Sequence, residues 1–156
     1  MKGEGDSPAP RSADAESPPP LKGRGVRFAG YAAVFDRADR GGDVVRKGAF
    51  AASLAKRGDI PLLWQHRPGV VIGRIEHLSE DQRGLRVIGE LGSGAEARQV
   101  ARLLGKGTLD GLSFGYRVTD AGRSGALREL RALELVEVSV VAQPMQPLAR
   151  IHAVEV

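Results

Sequence analysis

The sequence predicts a mainly β domain of the α+β class: a closed or nearly closed β-barrel with a few helices packed outside. Three observations carry this. Short apolar runs, many of them alternating, recur between glycine-rich breaks, which is the pattern of strands. Two segments alone repeat their apolar residues at helical spacing. The chain has 156 residues, room for one domain, and many short strands with few helices bury their apolar faces by curling a sheet on itself. An open antiparallel sheet is the alternative.

Residues 1–22 read as a disordered Pro/Ser-rich tail and residues 23–156 as the folded domain. The first 20 residues hold five of the nine prolines and carry a net charge of −2, so they bury too little to offset their chain entropy. The rest of the chain then carries +6. Strands are predicted at Val26–Phe35, Ile60–His66, Val70–Leu78, Gly84–Leu91, Leu112–Asp120, Ala126–Leu133 and Glu134–Ala142. A helix is predicted over Lys47–Arg57, where Phe50, Leu54 and Arg57 recur at helical spacing and Gly58 offers a left-handed stop. A second opens with Ser93 and Glu96 as a capping box, buries Ala97, Val100, Ala101 and Leu104, and ends at Gly105.

The composition closes off several classes of function. With no cysteine, disulfide scaffolds, zinc ribbons and cysteine proteases are excluded. No apolar run approaches the roughly 20 residues that span a bilayer, and the first residues lack the apolar middle of a signal peptide. A soluble, cytoplasmic protein without a membrane partner is expected. A net charge of +4 and a pI near 9.8 permit an acidic partner. The arginines are scattered, however, and only 4% of residues are aromatic, so specific nucleic-acid recognition is not expected. His66, His77 and His152 have no HExxH spacing, and neither a metal nor another cofactor is expected. Gly105-Lys106-Gly107-Thr108 ends a helix instead of opening one, which argues against a phosphate-binding loop.

Three segments carry candidate chemistry. In Gly111-Leu112-Ser113-Phe114-Gly115-Tyr116-Arg117-Val118, a period of two sends Leu112, Phe114, Tyr116 and Val118 to the core and Ser113 and Arg117 to the other face. Gly111 and Gly115 flank Ser113 on its own face, so a substrate backbone could come close. In Ile60-Pro61-Leu62-Leu63-Trp64-Gln65-His66, the histidine ends an apolar row at the rim of the core. Leu133 to Val141 is apolar on both faces except for Glu134, Glu137 and Ser139. A buried carboxylate without a partner costs several kcal/mol, on the order of 3–5, so at least one of them is expected to meet a cation or a hydrogen-bond donor, an arginine serving as well as a histidine. Glu137 is the better candidate for a histidine, because Ser139 shares its face, with Glu134 as the alternative.

Together these segments supply a hydroxyl nucleophile (Ser113), an imidazole base (His66) and a carboxylate to orient it (Glu137). Serine is a poor nucleophile at neutral pH and needs a base for its proton. The imidazole in turn needs an acceptor at its other nitrogen. Gly111 to Gly115 also spells G-x-S-x-G, and Ser113, Glu137 and His152 fall in the chain order of α/β-hydrolases. That motif requires a strand–turn–helix, whereas here the strand pattern continues through Arg117 and Val118.

Gly30-Tyr31-Ala32-Ala33-Val34-Phe35, Gly42-Asp43-Val44-Val45, Gly48-Ala49-Phe50, Leu62 to His66, Gly111 to Tyr116 and Glu137 to Val141, in this order and spacing, resemble the prohead (capsid-maturation) proteases of tailed phages. That family is similar in fold to the herpesvirus assembly proteases. The resemblance implies a serine endopeptidase in which His66 matches the base and Ser113 the nucleophile, while Glu137 falls where the herpesvirus enzymes place a second histidine. It implies as substrates the scaffolding part of the major capsid protein precursor and the protease itself, cut inside an assembling procapsid of a phage or gene-transfer particle. Gln143-Pro144-Met145-Gln146-Pro147 departs from the family pattern near where the herpesvirus enzymes place oxyanion donors, and Met145 and Gln146 are the candidates here. Without a fused helical scaffold after Val156, the scaffold is expected on another chain or on the capsid protein. A homodimer stays open. A basic barrel that binds acidic scaffold or nucleic acid without catalysis is the alternative function.

Overall fold

The computed structural model describes residues 26–56 and 58–155. Its elements in chain order are β1 (Arg27–Val34), β2 (Asp43–Val45), α1 (Ala51–Ala55), β3 (Leu62–Trp64), β4 (Val71–Glu80), β5 (Gly84–Leu91), α2 (Ala95–Lys106), β6 (Gly111–Ser124), β7 (Leu127–Val141) and β8 (Ile151–Glu155). The tail read over residues 1–22 lies outside the described residues.

The strand β7 organises the sheet. One edge pairs with β6 along its whole length, through a turn in which Gly125 takes a positive φ of 64°. The other edge takes two short strands in parallel, β2 at Arg128–Leu130 and β3 at Val138–Val140. From β3 the ladder continues antiparallel through β4, β5 and β1 to β8. The sheet curls into a half-barrel that stays open, where the sequence predicted a closed or nearly closed barrel. Among the described residues its two ends, β6 and β8, are bridged only between Gly111 and Arg150. Beyond that bridge β8 pairs, among the described residues, with β1 alone, so no continuous ladder of these residues seals the seam.

The concave face buries Phe28, Phe50, Leu62, Ile72, Leu85, Val87, Leu91, Leu112, Leu130, Val138 and Val140, and each contributes on the order of 1.5–3 kcal/mol by leaving water. Ala97, Val100 and Leu104 of α2 join the same core. Gly73 lies between β3 and β5, where a Cβ would stand 2.0 Å from the Glu90 carbonyl oxygen and 2.9 Å from Leu91 Cα. Backbone cannot yield as a side chain would. Gly73→Ala is therefore expected to destabilise the domain by about 3 kcal/mol or more, read as a lower denaturation midpoint in urea. An unchanged midpoint would contradict the close strand approach.

Several boundaries differ from the sequence reading. β5 lies where predicted, but Ala126–Leu133 and Glu134–Ala142 form one strand, and β6 runs on to Ser124. The strands β2 and β8 were not anticipated. The helix α1 starts only at Ala51, because the Glu80 carboxylate takes the N–H groups of Gly48 (2.9 Å) and Phe50 (2.8 Å) and holds them in a turn. Arg57 lies outside the described residues, and Gly58 has no left-handed φ. No Ser93 capping box forms: Gly94 is the N-cap of α2, without a side-chain bond. The left-handed stop is Gly107, φ 75°, not Gly105.

Candidate active site

The strand β3 ends at Trp64, and His66 stands beyond it on a tight turn, not on the strand itself as the sequence suggested. Gln65 and His66 have φ of 52° and 60°, and Arg67 N–H donates to Trp64 C=O at 2.9 Å. Positive φ at both central residues makes this a type I′ turn, which ordinarily uses Asn and Gly. Two ordinary side chains there cost on the order of 1–2 kcal/mol each, so other contacts hold the turn. Gln65 N–H donates to Val140 C=O at 3.0 Å. His66 N–H donates to Ser139 Oγ at 3.0 Å. Ala142 N–H donates to Gln65 Oε1 at 2.6 Å. The turn is thereby pinned to the last residues of β7, and the His66 side chain is left 41% exposed.

The residue beneath it is Glu137. Its carboxylate is 10% exposed and takes His66 Nδ1 on Oε2 at 2.5 Å. Its other oxygen, Oε1, accepts from Ser139 Oγ at 2.7 Å. Glu137 lies beside a β-bulge: Gly115 faces Glu137 and Tyr116 faces Leu135, with Val136 left over and exposed. Such a bulge re-aims the neighbouring side chains. Glu134, the other acid of this strand, pairs with Arg117 at 3.3 Å instead. The hydrogen bond that His66 donates to Glu137 raises the His66 pKa above its ordinary value, burial opposes the rise, and the carboxylate charge adds to it. A carboxylate oxygen accepts from Nδ1, so in the neutral ring the proton sits on Nδ1 and Nε2 keeps its lone pair.

Ser113 pairs with Ser139 across β6 and β7. Directly opposite residues share a face with Cβ atoms about 5 Å apart, so the Ser113 hydroxyl stands on the face that carries Ser139, Glu137 and His66. Among the described residues no hydrogen bond joins Ser113 to His66. Ser113 is 6% exposed, less open than its flanking glycines suggested. The space beside Gly115 is occupied by Glu137, whose Oε2 would lie 2.5 Å from an added Cβ. The predicted alternation of β6 holds through Tyr116, which packs against the core beside Phe114, whereas Val118 is exposed. Ser113 lies within a continuous strand, not at a strand–turn–helix junction, and His152 on β8 packs against Tyr31 and Arg86. The α/β-hydrolase order is not assembled.

Residues 14–156 match the family of caudovirus prohead serine proteases. The chain belongs to that family. It is 31% identical over 138 residues to the prohead protease of Enterobacteria phage HK97, covering 82% of this chain and 60% of that protein. This prohead protease family member thus spans less than two thirds of the length of its curated relative. In fold it is similar to the KSHV protease solved in complex with a hexapeptide phosphonate inhibitor. That likeness has a TM-score of 0.56 at 15% identity and covers 85% of this chain and 65% of that one.

The two oxyanion candidates lie in the segment that joins β7 to β8. Met145 is exposed, and its carbonyl accepts Arg40 N–H at 3.0 Å. The buried Gln146 side chain ties this segment to the end of β1. Its Oε1 accepts Val34 N–H at 2.6 Å, and its Nε2 donates to the carbonyls of Val34 (2.7 Å) and Arg37 (3.0 Å). Pro144 packs against the start of β6, where a Cβ on Gly111 would stand 2.9 Å from Pro144 Cδ. Sequence reasoning missed Gln65 and any specific role for Ser139. The signal for Ser139 is the Glu137-Val138-Ser139 spacing, which puts two polar side chains on one face of an apolar strand. Gln65 carries no such signal.

Proposed function

We propose that this chain is a serine endopeptidase. The contact between His66 Nδ1 and Glu137 Oε2 at 2.5 Å, on the face that carries Ser113, is the observation that carries this reading. Ser113 Oγ attacks a peptide carbonyl carbon while its proton passes to His66 Nε2. Glu137 holds the ring and stabilises the imidazolium. The tetrahedral intermediate expels the amine, which takes the proton from Nε2 and leaves an acyl ester on Ser113. Water then repeats the sequence and frees the acid. The N–H of Met145 or Gln146 donates to the oxyanion, a role supported by the packing of Pro144 against β6 two residues from Ser113.

The substrates that fit this reading are the scaffolding segment of a capsid precursor and the chain itself, cut inside an assembling procapsid. Family membership and the name of the HK97 relative support this.

A peptidyl phosphonate, the class of inhibitor bound to the KSHV protease, is expected to add covalently to Ser113 in intact-mass measurements, with no adduct in Ser113→Ala. A basic barrel that only binds scaffold or nucleic acid would form no adduct in either protein and would show binding that weakens with salt. Cutting of the chain by itself is expected to leave the purified protein shorter than its Ser113→Ala form. Equal masses would remove the self-cleavage part of the proposal.

A further inference from the structure

We infer that Ser139, together with the missing side chain at Gly115, is a positioning device for His66; its consequence for catalysis rests on the reading of His66 as the base. A hydroxyl has one proton to give and lone pairs to accept with. Ser139 Oγ gives its proton to Glu137 Oε1 at 2.7 Å and accepts the His66 backbone N–H at 3.0 Å. Glu137 closes the circuit by taking His66 Nδ1 on its other oxygen at 2.5 Å. A single hydroxyl therefore holds both the backbone of the base and the carboxylate that orients its ring.

Ser139 is 0% exposed, so bulk water cannot replace either bond. If its only task were to fill space, alanine would serve nearly as well. The use of both its donor and its acceptor within one histidine–carboxylate pair argues for orientation. The His66 N–H bond also anchors a turn that two non-glycine residues hold at positive φ.

Gly115 works from the other side. A Cβ there would lie 2.5 Å from Glu137 Oε2 and 3.0 Å from its Cδ and Cγ. The carboxylate fills the place where a side chain would have been, wedged between the β6 backbone and the imidazole. Alanine at 115 would drive Oε2 off Nδ1 while leaving Ser139 in place, so the two substitutions disturb one contact by independent routes.

The test is an NMR titration of the His66 ring in the full chain, with steady-state kinetics alongside. In both Ser139→Ala and Gly115→Ala, the raised His66 pKa is expected to fall toward the ordinary histidine value. The kcat is expected to drop by up to about 10²-fold, with KM within about twofold. A His66 titration identical to wild type in both variants would overturn the inference, even if the melting temperature fell. Should Ser139→Ala fail to fold, Gly115→Ala decides alone. The titration does not depend on proteolysis: a lowered pKa in a chain that forms no phosphonate adduct keeps the positioning device and rejects the protease, and an adduct with an unmoved titration does the reverse.

Discussion

Ser113→Ala is expected to reduce cleavage of a coexpressed capsid precursor by about 10³-fold or more. The substitution removes one oxygen from a strand and leaves the β6–β7 ladder untouched, so the loss falls on chemistry and not on folding. His66 calls for a different variant. Its φ of 60° disfavours alanine, whereas asparagine accepts that conformation. His66→Asn is expected to lose about as much as Ser113→Ala, because a hydroxyl without its base and a base without its hydroxyl are equally idle. The double variant should then be no slower than either single one, since members of such a unit act together. Normal processing by Ser113→Ala would remove the nucleophile assignment. Losses that multiply in the double variant would mean that the two residues act separately.

Much of this site was legible because a buried charge makes a demand on its surroundings. Glu137 in an apolar strand required a partner, and Ser139 on the same face marked where that partner would stand. Whether it would be a guanidinium or an imidazole was open, because that choice depends on β3 lying parallel to β7 at Leu62–Trp64, a pairing between segments about 75 residues apart. The exact seat of His66 was hidden for a related reason. Its turn contains neither glycine nor asparagine and is held by contacts from Ser139, Val140 and Ala142. The start of α1 shows the same limit, since Glu80 fixes it from 30 residues away. Gly84–Leu91 was predicted to the residue, because its alternation and its Gly84 start are local. The seam was illegible, since a single bridge between Gly111 and Arg150 separates an open half-barrel from a closed barrel.

The pH dependence of Glu137→Gln examines the remaining member of the set. The His66 pKa is raised first by the hydrogen bond it donates to the Glu137 carboxylate and further by that carboxylate's charge, against burial that lowers it. Imidazole must be neutral to take the serine proton, so wild-type kcat/KM is expected to fall off in acid with an apparent pKa above that of ordinary histidine. Glutamine removes the raising causes and leaves burial, and the acid limb should move to lower pH. Its plateau should drop by about 10²-fold, since the glutamine NH2 group can face Nδ1 and hold the ring proton on Nε2, the wrong tautomer. Stability moves with the same sign. A histidine pKa raised by folding stabilises the fold fully below the unfolded-state value and loses that contribution as pH rises through the folded-state value. Above the range where carboxylates protonate, wild type should therefore exceed Glu137→Gln in stability most at mildly acidic pH, with the gap narrowing toward alkaline pH. An acid limb that stays in place or moves upward would show that the carboxylate does not hold the imidazole during turnover, and the assignment of Glu137 would have to be abandoned.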